Sequence, residues 1–289
     1  MIYEGTLYRP PSEARSLIVQ VTIGCSHNGC RFCTMYKTKQ FRIRPLDEIK
    51  QDFLEAKERY GNQIAKIFLA DGDALVLPAN TLQELLLYIH DLFPYAKSIT
   101  SYGTPKDILR HSVRDLSRLH EAGLTMVYMG AESGDAKILK QINKGVSREK
   151  IIAAGQKLKE AHIQSSITLI SGLGGKEYLQ EHALESAELI SQIKPDYLGF
   201  LTLMLEPGAP ILQDIKEEKL HLLEPDDIIM EMELFLKHVD TEKTIFRANH
   251  ASNYMTLKGT LNQDIPALLK QLEITKKRGA FRHEDWRRL

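Results

Sequence analysis

Short apolar runs rich in β-branched residues alternate with longer amphipathic stretches through most of this chain. Residues 16–22, 64–70, 96–102, 124–130, 164–170 and 195–203 read as buried strands. Between them, apolar residues recur at three- and four-residue spacing in 46–60, 79–92, 106–122, 147–162 and 177–193, which read as helices. The stripe Leu82, Leu85, Leu86 and Ile89 is core, Pro45 closes the loop before 46–60, and Gly123 caps 106–122. Six strand–helix alternations predict an α/β fold with a parallel sheet. The strands end in polar or glycine residues, at the edge where such folds place their chemistry.

Beyond about residue 212 the pattern changes. Residues 225–239 read as a helix with Ile228, Ile229, Met232 and Leu236 on one side and Glu231 and Glu233 on the other. A short seventh strand is expected at 243–248, then a polar cluster at 249–254 and a helix at 261–277. The basic tail 276–289 is expected to be a solvated end. The expected organisation is a core over 1–212 and a helical C-terminal extension over 213–289 that packs on it.

Length and charge narrow the function without naming it. At 289 residues the chain can bury one large α/β core with a small annex. Lys+Arg and Asp+Glu number 38 each, so no global field draws it to nucleic acid or to an anionic membrane. No apolar run approaches the ~20 residues that span a bilayer, and the N-terminus lacks the basic start and apolar core of a signal peptide. A cytoplasmic, reducing location is the expectation.

All three cysteines, Cys25, Cys30 and Cys33, fall on one loop after the first strand, as C-x4-C-x2-C. An odd number so closely spaced is no disulfide framework. Tetrahedral zinc would need a fourth ligand, for which His27 is at hand, although structural zinc sites usually pair two separated ligand knuckles. A plant-type [2Fe–2S] centre has this spacing but requires a distant fourth cysteine, which the chain lacks. A [4Fe–4S] cluster on three cysteines leaves one iron open, the mark of a catalytic centre.

The strand, the three-cysteine loop and Phe32 just before the last cysteine resemble the radical S-adenosylmethionine (SAM) superfamily. The resemblance implies a [4Fe–4S] cluster held by Cys25, Cys30 and Cys33, with SAM chelating the fourth iron. It also implies reductive cleavage of SAM to a 5′-deoxyadenosyl radical that abstracts hydrogen from a substrate. The family's usual spacing is C-x3-C-x2-C, and Gly29 is expected to supply the backbone angles that one extra residue demands. The fold implied is a partial (β/α)6 TIM-like barrel. By the same resemblance Phe32 packs by adenine, and Asp71-Gly72-Asp73 stands where a Gly-Gly-Glu-like motif contacts SAM's amino group. Glu132 and Ser133 would hold ribose and methionine parts, and Lys144 or Arg148 the carboxylate. Gly172 lies in the glycine-containing stretch that packs on adenine, and Thr168 stands where some relatives carry an acidic residue. The run Gly-x-Glu-Ser-Gly at 130–134, with 139–145 and Glu206-Pro207-Gly208, is similar to the branch containing oxygen-independent coproporphyrinogen III oxidase.

Two segments stay open between a site and plain structure. Lys37, Lys39, Arg42 and Arg44 can meet an anion, but each by itself reads as part of an exposed, solvated loop. Arg247, Asn249, His250 and Asn253 either touch substrate or form a hydrogen-bonded turn that docks the C-terminal helix. No cysteines remain for an auxiliary cluster, and the residues left over do not make a cobalamin domain, so a small-molecule substrate is expected by elimination. The partners expected are that substrate and an electron donor such as flavodoxin or ferredoxin, with no nucleic acid and no membrane. Two other readings are an iron–sulfur electron carrier and a zinc-stabilised binding scaffold, both of which need His27 as a ligand.

Overall fold

Of the six runs, 64–70 is near-continuously apolar, as suits a strand buried on both faces, while 96–102 and 164–170 also bury Thr100, Ser101 and Ser165. All six form in the computed structural model, which describes residues 3–287. The chain clusters into two compact units. The first holds the residues up to Asn28, Met35–Met129 and Ala154–Ser165; the second holds Gly29–Thr34, Gly130–Ala153 and the chain from Ser166 onward.

In the first unit, β1 (Leu17–Gln20) is followed by a two-stranded antiparallel ribbon of β2 (Thr22–Ile23) and β3 (Arg42–Ile43). Then come α1 (Leu46–Tyr60), β4 (Lys66–Ala70), α2 (Ala79–Leu92), β5 (Ser98–Tyr102), α3 (Pro105–Arg110), α4 (Val113–Glu121) and most of β6 (Leu124–Glu132). β1, β4, β5 and β6 pair in parallel, with Val19 opposite Leu69 and Leu69 opposite Ser101. Val19, Ile67 and Leu69 are fully buried, as is the α2 stripe of Leu82, Leu85, Leu86 and Ile89. On alternate positions Phe68, Tyr102 and Tyr128 pack edge to face at 5.1–6.1 Å. The single helix expected at 106–122 is two, because Ser112 caps α4 in a capping box with Asp115 and ends α3 two residues earlier.

The second unit contains α5 (Ala136–Gln141), the start of α6 (Arg148–Glu160), β7 (Gln164–Ser171), α7 (Leu179–Ile193), β8 (Tyr197–Thr202), α8 (Ile211–Lys216) and α9 (Pro225–His238). It ends with β9 (Ile245–Ala248), β10 (Leu257–Thr260) and α10 (Ile265–Arg278). β7, β8 and β9 run parallel, and β10 is antiparallel to β9. The seventh strand thus exists, and the four-residue β10, too short to read from periodicity, is added to it. Hydrogen bonding orders the eight longer strands β1-β4-β5-β6-β7-β8-β9-β10, a mostly parallel sheet with the helices as crossovers.

Two expectations for the extension are corrected. Glu231, expected on the polar side of α9, is 1% exposed and lies with Ile228, Met232 and Phe235 on the buried side. The tail is not a solvated end: the Arg282 guanidinium donates to the carbonyls of His250, Ala251 and Asn253 at 2.8–3.0 Å. Arg287 donates to the Ser252 carbonyl at 2.7 Å and stacks on the Tyr254 ring at 3.7 Å. Carbonyls left without strand partners in the 250–253 turn are met by these two cations. Among the described residues, no helix is long and apolar enough to cross a membrane.

Candidate functional site

Cys25 follows the β2 strand in the first unit, and Gly72 is pressed against it. A Cβ at Gly72 would lie 2.8 Å from the Cys25 Cβ and 2.9 Å from the Tyr36 ring, so only glycine fits there. The left-handed residue of the cysteine loop is Asn28 (φ 41°) rather than Gly29, and Asn tolerates that conformation. Asn28 also donates to the Tyr36 carbonyl at 2.9 Å.

The two flanking aspartates have different partners. Asp71 is fully buried; its Oδ2 accepts from Lys39 Nζ (2.8 Å), Gln20 Nε2 (3.0 Å) and Gly24 N–H (3.0 Å), and its Oδ1 lacks a hydrogen-bond partner. Lys39, expected in a solvated loop, is instead the buried counter-ion of this carboxylate. Arg44 is drawn in as well, to Asp52 at 2.7 Å and to the Gln20 carbonyl at 2.7 Å, and the β2–β3 ribbon follows from that anchoring. Arg42 stays exposed with Glu4.

Asp73 is also fully buried, with Oδ2 accepting from Ser26 at 2.7 Å and Oδ1 lacking any hydrogen-bond partner. Burial, with the neighbouring Asp107 carboxylate, holds Asp73 well above the usual carboxylate range. Asp107 is held low, because bonds from Asp73, Thr104, Arg110 and Ser26 outweigh its own burial. A buried, unmatched carboxylate oxygen beside Gly72 is a built acceptor.

The rest of the loop belongs to the second unit. Arg31 pairs with Asp214 at 2.7 Å, its N–H donates to the Ile142 carbonyl at 2.9 Å, and Asn143 donates to the Gly29 carbonyl at 2.9 Å. The Thr34 hydroxyl donates to Glu206, which gives the Glu206-Pro207-Gly208 turn a role in holding the loop. None of the three cysteines is in a disulfide, and all three, like Phe32, are half-buried. Among the described residues no three His, Cys, Asp or Glu side chains are gathered as a metal cage. The fit to a [4Fe–4S] cluster lies in the donor set, three thiols on one anchored loop, and in the glycine that clears the ground beside Cys25.

Glu132 and Lys144, read separately in the sequence, form one ion pair at 2.8 Å. Glu132 adopts φ 68°, which folds its carboxylate back over Gly130, where a Cβ would sit 2.1 Å from Oε1. Arg148 goes elsewhere, to Glu185 and Glu188 of α7 at 2.9 and 2.8 Å. Thr168 is half-buried in mid-strand opposite Gly199, and Gly172 turns the chain after β7 with φ 85°. Asn253 is buried, donating to the Phe200 carbonyl and accepting from Thr202. His250 bonds to Ser252, Arg247 donates to the Phe246 carbonyl at 2.7 Å, and Asn249 is exposed. Of the two readings left open for this segment, the hydrogen-bonded turn is the one its contacts describe. Gly172, Leu203 and Tyr254 line an open cavity of about 400 Å³, with Glu284 and Arg287 also in its lining.

Sequence reading missed His182 and Glu231. His182 Nδ1 lies 2.8 Å from the Ser133 hydroxyl and Nε2 lies 3.0 Å from the Ile170 carbonyl. Both Glu231 oxygens lie 3.2–3.3 Å from Gly172 N. The signal was polar residues on an apolar helical stripe: His182 and Ser186 share the buried face of α7 with Leu179, Ala183 and Ile190. Burial lowers His182 to about 4 and raises Glu231 to about 8, so both are neutral at pH 7.

The sign of their pH effect follows. Between pH 6.5 and 8 folded Glu231 holds most of a proton that the unfolded chain has lost, while the unfolded His182 sheds its remaining proton over the lower part of the window. Stability should therefore fall by roughly 1 kcal/mol over the window. Below pH 6.5, and down to about 4.5, the rising His182 contribution opposes it. Urea midpoints at pH 6.5 and 8 should show this fall in wild type and lose the Glu231 share of it in Glu231→Gln.

Comparison with known proteins shows the family and the fold. Residues 19–190 match the model of the radical SAM superfamily. The chain is 26% identical over 220 residues to ribosomal protein uS12 methylthiotransferase RimO of Chlamydia pneumoniae, covering 71% of this chain and 46% of that protein. It is 24% identical over 229 residues to tRNA-2-methylthio-N(6)-dimethylallyladenosine synthase of Rickettsia canadensis (strain McKiel), covering 74% and 50%. The chain thus spans about half the length of the curated relatives it matches. Among solved structures, coproporphyrinogen III oxidase (HemN) from Escherichia coli superposes with TM-score 0.55 at 20% identity, over 77% of this chain and 52% of that one. Methylornithine synthase (PylB) superposes with TM-score 0.54 at 18% identity, over 90% and 81%. These two share the TIM-like barrel fold. With more than half its length matched by the family model and its three cysteines on one loop within that match, the chain belongs to the radical SAM superfamily, whose cofactors are a [4Fe–4S] cluster and SAM.

Proposed function

We propose that this chain is a radical SAM enzyme in which Cys25, Cys30 and Cys33 hold the [4Fe–4S] cluster and the neighbouring strand ends hold SAM for hydrogen abstraction from a small-molecule substrate. When bound, the cluster supplies the electron that cleaves SAM to the hydrogen-abstracting 5′-deoxyadenosyl radical. The observation that carries the reading is Asp73: a buried carboxylate with one unpartnered oxygen, one residue from the glycine that abuts Cys25. It is an acceptor matched to an ammonium group, and ionises when one arrives. Asp71 Oδ2 is taken by Lys39, Gln20 and Gly24, while its Oδ1, like that of Asp73, is buried without a partner, so Asp71 is a second acceptor at this turn. The Glu132–Lys144 pair offers a hydroxyl acceptor and a carboxylate donor together, with Thr168 and the Gly172 backbone for the nucleoside and Phe32 against its ring.

The small-molecule reading is supported by balanced charge and by a cavity of the size that takes such ligands. Matched relatives are named for tRNA and for a ribosomal protein, so RNA and protein are the competing substrate classes. The electron donor is of the flavodoxin or ferredoxin class.

Anaerobic reconstitution with iron and sulfide, followed by electron paramagnetic resonance with and without SAM, tests the assignment. A reduced [4Fe–4S] signal that shifts on adding SAM, with 5′-deoxyadenosine formed after reduction, is the expected result. A cluster indifferent to SAM overturns it. Asp73→Asn should leave the cluster signal intact and weaken SAM binding by roughly ten- to a hundredfold, the loss of one hydrogen bond to a charged group. An unchanged Kd would remove Asp73 from the site.

A further inference from the structure

Three buried polar side chains of the second unit stand where leucine or alanine would pack, His182 and Ser186 on α7 and Glu231 on α9. Polar groups are costly in such positions unless each is matched, and here each is matched to the end of a strand. The Ile170 carbonyl can only accept, so His182 Nε2 carries the hydrogen. Nδ1 of the neutral ring then accepts from the Ser133 hydroxyl, whose oxygen accepts in turn from Asp135 N–H at 3.1 Å. Ser186 Oγ accepts from Gly134 N–H at 2.9 Å, and Glu231 accepts from Gly172 N–H. The β6 end packs so closely on α7 that a Cβ at Gly134 would lie 2.1 Å from the Glu185 carbonyl oxygen.

Every bond in this set therefore ends on the turn after β6, on the last residues of β7 or on the turn that follows them. The Ser133 hydroxyl hydrogen and the Gly172 N–H are both turned inward, so what these turns offer a ligand is the shape of their backbone. We propose that Glu231, His182 and Ser186 are positioning residues for SAM: they lock the turns at 132–135 and 170–173 into one shape against α7 and α9, and that shape is what the nucleoside and methionine parts bind. The inference rests on the reading of these turns as cofactor contacts. The neutrality of His182 and Glu231 at pH 7 suits the role, since neither adds a net charge beneath the bound sulfonium.

The test uses the reconstituted holoprotein, with SAM as the probe. Kd is measured by calorimetry, and amide hydrogen exchange is followed at 131–135 and 171–175. Wild type should show SAM-induced protection of both segments. Glu231→Leu should raise Kd about tenfold, the effect of leaving Gly172 N–H unmatched, with cluster content unchanged. Glu231→Gln, which keeps an uncharged acceptor, should return Kd to within about threefold of wild type. If Glu231→Leu does not fold, Ser186→Ala, which removes only the acceptor of Gly134 N–H, carries the same expectation of a severalfold rise. Wild-type protection with unchanged Kd in the folded variants overturns the positioning role. Absence of SAM-induced protection at both segments in wild type overturns the cofactor-contact reading, and this proposal with it.

Discussion

Replacing Cys25, Cys30 or Cys33 singly with alanine is expected to abolish the SAM-responsive cluster signal and to reduce 5′-deoxyadenosine formation to the level of a protein-free control, while His27→Ala leaves both in place. Two thiolates cannot hold a cubane that already leaves one iron without a protein ligand, so the effect should be all-or-none at each position. The same four variants separate the competing metal readings. A zinc scaffold, or an electron carrier with a fully ligated cluster, needs His27 as its fourth ligand and would lose its metal in His27→Ala. Iron and sulfide analysis alongside the spectra decides between them, and retention of a SAM-responsive cluster in any single cysteine variant would refute the ligand assignment.

The largest effect expected on folding is at Lys39→Met. Its ammonium and the Asp71 carboxylate are 4% and 0% exposed and lie 2.8 Å apart. Removing the cation leaves a buried carboxylate with only Gln20 and Gly24 as donors, a loss of about 3–5 kcal/mol. Asp71→Asn in the same background removes the stranded charge and should recover much of that loss, because the amide keeps its bonds at far lower desolvation cost. Urea denaturation of the two single variants and the double variant measures the coupling. Additive losses would show that the pair is not the unit that holds this turn.

Much of this molecule could be read from its residues. The six apolar runs became six parallel strands, the α2 stripe became core, and the cysteine loop with Phe32 pointed to the family that residues 19–190 match. The misses are of one kind. Lys39 looked like one cation among four on a polar loop, Glu231 like the outer face of a helix, and Arg282 and Arg287 like a solvated tail, yet each is drawn in by a distant partner.

Sequence alone determined which segments are strands and helices, because side-chain periodicity and turn chemistry are local properties. It also determined the donor set, since three cysteines within nine residues need no folding to become neighbours. Only the tertiary structure decided which charges meet. Asp71 finds Lys39 across 32 residues, Ser133 finds His182 across 49, and Gly172 finds Glu231 across 59. The cause is desolvation. A carboxylate or imidazole in water is indifferent to its eventual partner, and its pairing, protonation and role are set when packing removes the water. That is why the two aspartates of one Asp-Gly-Asp turn came to have different partners.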